Sequence, residues 1–225
     1  LLGSAIAERL AHGGFLVLGF DFDAAKLLTL GRLGGRAVPD SAAVFRDCSR
    51  VILSLPTHNE VKQVLDACAA DLRPGTIIID TTTGDPAAAE DFSANLTSRD
   101  IEYLDATISG SSAQVRQGEA VLMVGGSSVA FSRCEDIFSR LGSASFHIGG
   151  PGSGARMKLV TNVALGLNRA ALGEALALAA AMGLDPARAL AVMRASVAYS
   201  RVMDSKGDKM VSGNFAPDAR LSQHL

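Results

Sequence analysis

Up to about residue 148, short apolar runs alternate with segments in which apolar positions recur at helical spacing. Gly3–His12 sets Ile6 and Leu10 one turn apart among Ala5, Ala7 and Ala11, and stops at Gly13-Gly14, a helix C-terminal signal. Phe15–Phe20 predicts a short buried strand ending in Asp21, and Arg36–Val38 a second. After a weak helix at Ser41–Arg46, Val51–Leu55 reads as a strand closed by Pro56. Thr57 and Glu60 then form a capping-box pattern for a helix over Asn59–Ala70. The β-branched run Thr76–Asp80 is another strand, and Asp85-Pro86 starts a helix with proline at its favoured first position. Strands are expected near Ile101–Leu104, Val121–Val124 and Ser145–Ile148, with one helix over Ser128–Leu141. The strands are apolar on both faces, as in a parallel sheet covered by helices on each side.

The pattern changes at Gly149-Gly150-Pro151-Gly152. Beyond this hinge every segment reads as helix: Ala155–Met182, a second starting at Asp185-Pro186, and a third around Ser200–Val211. The expected fold is therefore α/β, a Rossmann-type doubly wound, mostly parallel sheet over residues 1–150, followed by an all-α domain over 151–225. The chain opens in mid-pattern without an initiator Met. The expectation is a fragment, with a first strand and part of a glycine loop before Leu1 and further helices after Leu225.

Composition narrows the possibilities. Of 225 residues, 21 are basic and 23 acidic, with no basic block, which argues against nucleic acid as the partner. The three cysteines fit neither a metal spacing nor a disulfide framework, so no metal is expected and a cytoplasmic location is the simplest. The apolar run Leu159–Met182 holds Asn162, Asn168, Arg169 and Glu174, whose burial in lipid is costly, so no membrane span is expected. A helix apolar nearly all round must be covered on several sides. A partner subunit or further helices must do this, giving a homodimer or homotetramer.

Candidate chemistry gathers at strand ends. Gly3 opens a small-residue helix and Asp21 ends the next strand 18 positions later, half of a dinucleotide fingerprint. In that fingerprint the last glycine lets helix and strand pack closely, and the acid accepts hydrogen bonds from the adenosine ribose. Phe22 rather than arginine follows Asp21, which favours NAD over NADP, since an acid repels a 2′-phosphate. Leu53-Ser54-Leu55-Pro56 and Asp80-Thr81-Thr82-Thr83-Gly84 lie at the carboxyl ends of predicted parallel strands, where open α/β sheets bind ligands. Ser109-Gly110-Ser111 reads as a turn offering a hydroxyl and backbone N–H groups, a cradle for a small carboxylate. Lys158 and Asn162 are four residues apart on one helix face, a spacing that on its own usually marks a solvated edge.

In this order and spacing the chain resembles the β-hydroxyacid dehydrogenase family, which includes 3-hydroxyisobutyrate dehydrogenases and tartronate semialdehyde reductases. Gly3 is similar to the last glycine of its G-x-G-x-x-G. Leu55-Pro56 and Thr83 are similar to its cofactor-contacting positions, Asp105–Gly110 to its D-A-P-V-S-G-G, and Gly152–Asn162 to its G-x-G-x-x-x-K-x-x-N-N. The resemblance implies Lys158 as catalytic lysine and Ser109, Gly110, Ser111 and Asn162 as substrate-binding residues. It implies Leu2, Gly3, Asp21, Phe22, Leu55, Pro56 and Thr83 as the cofactor side. The implied reaction is hydride transfer between NAD, or NADP, and a short 3-hydroxy acid or semialdehyde. Lys158 is the general acid/base, its pKa lowered by desolvation in a closed cleft.

The chain departs from the family pattern around the cradle. Thr107 stands where the family has proline, Ser111 in place of a glycine, Gln114 in place of a small residue and Thr161 in place of the first asparagine. These departures bear on which substrate is used: a 3-hydroxyisobutyrate-like acid, tartronate semialdehyde, or a larger phosphorylated sugar acid met by Arg116, Arg156 and Arg169. The alternative of another class is a dinucleotide-binding sensor or scaffold without catalysis. Asn214–Pro217 resembles the family segment just before a further lysine.

Overall fold

The computed structural model describes residues 1–214 and 216; Phe215 and Pro217 of the last motif lie outside the described residues. The chain divides into two compact units, Leu1–Lys158 and Leu159–Leu225.

In the first unit α1 (Leu2–His12) leads into β1 (Leu18–Gly19), α2 (Ala24–Arg32), β2 (Arg36–Ala37), α3 (Ser41–Asp47) and β3 (Arg50–Leu53). Then come α4 (His58–Ala67), β4 (Ile77–Asp80), α5 (Pro86–Thr97), β5 (Glu102–Ser109), α6 (Ser112–Gln117) and β6 (Ala120–Gly125). α7 (Ser128–Ser132), α8 (Glu135–Leu141) and β7 (Gly142–Gly149) complete the sheet layer. Side-chain caps set many helix starts: Asp23, Asp40, Thr57, Asp85, Ser111 and Ser127 each accept a backbone N–H of the first turn. Losing such a cap costs about 1 kcal/mol.

The strands form a five-stranded sheet ordered β3-β4-β5-β6-β7 and a separate parallel pair, β1-β2. All neighbours in the larger sheet are parallel except β5 and β6. Only residues 110–119 join those two, too few for a crossover, so the chain must return antiparallel. Side chains alternate between two cores. Ile77, Ile79, Leu104, Leu122 and Val124 pack on one face with Ile6, Leu10, Ile137 and Phe138. Val51, Leu53, Ile78 and Tyr103 pack on the other with Phe45, Val61, Leu65 and Leu96. Burial on both faces explains the unbroken apolar runs.

Three expectations change. The strand predicted over Phe15–Phe20 shrinks to Leu18–Gly19, because β2 pairs with it only over this short register. The single helix predicted over Ser128–Leu141 breaks at Cys134, whose side chain is fully buried and whose backbone (φ −117°, ψ 4°) leaves the helical region. The strand near Ile101–Leu104 runs on to Ser109, because β6 pairs with it from Asp105 to Ser109. The Asp105–Ser109 motif is thus strand, and the turn begins at Gly110.

α9 (Ser153–Ala181) starts in the first unit and runs into the second. There α10 (Pro186–Ala195), a π-helical turn (Met203–Gly207) and α11 (Asp208–Val211) follow. The second unit's core is small: Leu172, Leu176, Leu190, Val202 and Met203. Leu159, Val160, Val163, Leu167 and Leu178 of α9 stay exposed among the described residues. This helix is long and apolar enough by composition to cross a membrane, yet its first turn is tied by hydrogen bonds to a sheet strand.

Candidate active site

The carboxyl ends of β3 and β4 are joined by threonines. Thr81 donates from both N–H and Oγ1 to Leu53 O, each at 2.8 Å, and Leu55 N–H donates to Thr82 Oγ1 at 3.1 Å. Thr81 and Thr82 are buried in this lacing, which leaves Thr83 exposed beside it. Gly3 packs against the same edge: a Cβ there would lie 3.3 Å from Ser54 Cβ, so a small residue lets α1 begin close to β3. Gly3, Leu55 and Thr83 therefore lie at one sheet edge, with Leu2 and Pro56 next to them in the chain. Just beyond β1, Asp21 is exposed and accepts the Asp23 N–H at 2.9 Å through Oδ1, while Phe22 is 94% exposed. An exposed acid and aromatic ring at a strand's carboxyl end suit a ribose and an adenine.

The second cluster centres on β5 and the start of α9. Asp105 is buried within the strand. Its Oδ1 accepts Gly152 N–H and its Oδ2 accepts Ala155 N–H, each at 2.9 Å. Thr107 Oγ1 donates to Gly154 O at 2.9 Å. Glycines make this approach possible: a Cβ on Gly154 would lie 2.3 Å from Asp105 O, and one on Gly125 2.4 Å from Asp105 Oδ1. One and a half turns into α9, Lys158 Nζ donates to Ile108 O at 2.6 Å. Burial lowers the Lys158 pKa below that of a free lysine.

Of the residues expected to bind substrate, Ser109 ends β5 and Gly110 follows at φ 151°, with Ala120 Cβ 3.2 Å from where its own Cβ would be. Only glycine meets both conditions there. Ser111 Oγ accepts Gln114 N–H at 3.3 Å, and Gln114 Oε1 accepts Ser111 N–H at 2.9 Å, a reciprocal capping box that opens α6. Asn162 lies one turn beyond Lys158 in α9, within the second unit. Two of the arginines considered for a phosphorylated substrate are in ion pairs, Arg116 with Glu8 at 2.7 Å and Arg156 with Glu90. Arg169 Nε is buried without a hydrogen-bond partner.

Two buried acids inside the motifs have partners that the sequence pattern does not reveal. Asp80, almost wholly buried, accepts the Tyr103 hydroxyl at 2.6 Å and Thr82 N–H at 2.9 Å. Asp105 is the other. Burial raises both carboxyls above the usual range, and the charge of Asp105 adds to the rise at Asp80. Burial and the neighbouring Asp80 also raise the Tyr103 phenol. These groups surround a cavity of about 10 Å³ with His58, Thr82, Asp85 and Thr107, room for about one water. The signal for both acids was a carboxylate inside a continuous apolar strand, which must find donors when it is buried.

A doubly wound sheet suits a dinucleotide at its carboxyl edge, and likeness to known proteins gives the class, a nicotinamide-dinucleotide-dependent oxidoreductase. The model for the NAD binding domain of 6-phosphogluconate dehydrogenase matches residues 1–149, and that for NAD-binding of NADP-dependent 3-hydroxyisobutyrate dehydrogenase matches 152–225. The chain belongs to the β-hydroxyacid dehydrogenase family, NAD(P)-dependent enzymes acting on CH–OH groups. It is 29% identical to 2-(hydroxymethyl)glutarate dehydrogenase of Eubacterium barkeri, over 96% of this chain and 73% of that protein. To 2-hydroxy-3-oxopropionate reductase of Escherichia coli K12 it is 28% identical, over 100% of this chain and 77% of the reductase. The fold is shared with Mycobacterium tuberculosis 3-hydroxyisobutyrate dehydrogenase solved with L-serine. There the TM-score is 0.88 at 23% identity, covering 96% of this chain and 77% of that one.

Proposed function

We propose that this chain carries the site of a 3-hydroxyisobutyrate-dehydrogenase-like enzyme, moving a hydride between a nicotinamide and a short 3-hydroxy acid or semialdehyde. The observation that carries this reading is Lys158: a desolvated ammonium on Ile108 O, one residue before Ser109-Gly110. Lys158 protonates the oxygen that develops at the substrate carbon during reduction and takes that proton back in oxidation. Ser109, Gly110 and Ser111 hold the substrate carboxylate, the last through its O–H, because its N–H is given to Gln114 and its oxygen only accepts in the cap. Asn162, one helical turn on, orients the substrate oxygen. The nicotinamide, when bound, supplies or accepts the hydride.

Leu2, Gly3, Leu55, Pro56 and Thr83 hold the dinucleotide along the sheet edge, with Asp21 on the ribose and Phe22 against the adenine. Asp21 favours NAD over NADP. The enzyme is a soluble, cytoplasmic homodimer or homotetramer; the exposed apolar face of α9 supports the oligomer, with a second copy covering Leu159, Val163 and Leu167. The test compares parent and Lys158→Met on three- and four-carbon hydroxy acids and semialdehydes with each cofactor. We expect turnover in the parent, higher kcat/KM with NAD, and a loss of about 10²–10⁴-fold in the variant. Best turnover of tartronate semialdehyde would move the substrate assignment to the reductase. Cofactor binding without turnover would leave a binding module.

A further inference from the structure

We propose that Asp105 and Thr107 are positioning residues for the Lys158 amine, acting as a strand-borne clamp that sets the rotation and height of the first turns of α9. The argument lies in the register. Along β5, position 105 meets Gly152, just before α9, and Ala155 within it, position 107 meets Gly154, and position 108 meets Lys158. The carboxylate takes two N–H groups of the helix opening, the hydroxyl donates to a carbonyl of the first turn, and the amine returns to the same strand. A helix held at three successive heights by one strand can neither slide nor turn without breaking all of these bonds.

The fit leaves no slack. Gly154 and Gly125 are the only residue type that lets Asp105 sit where it does, since a Cβ on either would fall within 2.4 Å of its atoms. Thr107 Oγ1 is also 3.3 Å from Met123 O, so the hydroxyl lies between two carbonyls. A proline at this position would have no hydroxyl to offer. Negative charge at a helix N-terminus is favourable in itself. The other titratable groups around Asp105 are Asp80, Tyr103, His58 and Asp85 at the small cavity, and none of them is hydrogen-bonded to the α9 backbone. Asp105 and Thr107 thus tie β5 to the opening of the helix that bears Lys158. Because the amine must meet a substrate oxygen at hydrogen-bond distance, a displacement of about 1 Å can cost about 10²-fold in rate.

This inference rests on the acid/base reading of Lys158, and its test separates the two. The pH dependence of acetylation at Lys158, with the folded protein labelled and the Lys158 peptide then quantified by mass spectrometry, reports the amine without any turnover. Parent, Thr107→Val, Thr107→Ser and Asp105→Asn are compared in labelling, kcat, KM and circular dichroism. In Thr107→Val and Asp105→Asn we expect the amine to titrate closer to the free-lysine value of about 10.4. In both, kcat falls by about 10–10²-fold and KM changes less. Thr107→Ser restores both readouts. A folded Thr107→Val protein with parental labelling and kcat overturns the clamp, as does failure of Thr107→Ser to rescue. If Asp105→Asn does not fold, the two threonine variants decide alone. Near-parental turnover in Lys158→Met removes the acid/base reading but leaves the labelling result to judge the clamp.

Discussion

Lys158 shows what burial does to a single group. Its ammonium is half-buried and hydrogen-bonded to a backbone carbonyl, and desolvation favours the neutral amine. In the oxidation direction the amine must be neutral, so kcat/KM should rise with pH and level off at an apparent pKa below about 10.4. In reduction the same group must be charged, and activity should fall across the same range. Steady-state rates from pH 6 to 10 in both directions check this. Profiles that rise together would take the proton away from this residue.

Asp80 gives a stability prediction at the same scale. Its carboxyl is raised by burial, so the folded state holds the proton more tightly than the unfolded chain. That contribution is complete at pH below the unfolded value and is lost as pH rises through the folded one. Asp80→Asn keeps an acceptor for Thr82 N–H and carries no charge. Its melting temperature relative to the parent should therefore climb as pH rises above the unfolded value of about 3.9, by about 2–4 °C per kcal/mol relieved. Thermal melts at several pH values decide it, and a difference that narrows with pH would contradict the account.

Among the elements, β5 does the most. Gly154→Ala should separate it from α9, since the new methyl would overlap Asp105 O and Met123 O. The expected result is a destabilisation of about 1–3 kcal/mol from overpacking, read by urea denaturation, with a larger loss of activity than of fold. Much of this layer was legible in the sequence. Asp85-Pro86 and Asp185-Pro186 announce their helices through purely local chemistry, and the apolar runs announce buried strands. The clamp was not legible, because the partners of Asp105 lie 47 and 50 residues away and no local rule joins them. Gln114 and Thr107 looked like departures around a substrate cradle. The structure gives both hydrogen-bonding work in holding the backbone, which side-chain identity without coordinates does not reveal. The antiparallel turn of β6 follows from the short 110–119 connection, a constraint that counts residues rather than reading their pattern.

For the whole molecule the exposed face of α9 sets the expectation. Five large apolar side chains, Leu159, Val160, Val163, Leu167 and Leu178, face outward on one helix, more than scattered surface residues account for. Val163→Glu together with Leu167→Glu should shift the protein to a smaller species in sedimentation velocity. Unchanged sedimentation would show that this face is covered some other way.

The two sheets of the first unit differ in how firmly they are held. The β1-β2 pair shares no ladder hydrogen bond with β3 among the described residues, and each of its strands is two residues long. Asp21 and Phe22 follow directly on β1, whereas Leu55 and Thr83 stand on the five-stranded sheet. The amides of Leu18–Ala37 should therefore exchange with deuterium sooner than those of Ile77–Asp80, through local opening that leaves the larger sheet closed. Within this chain the two-stranded ribbon is then the part that opens first and the threonine-laced edge the part that stays closed.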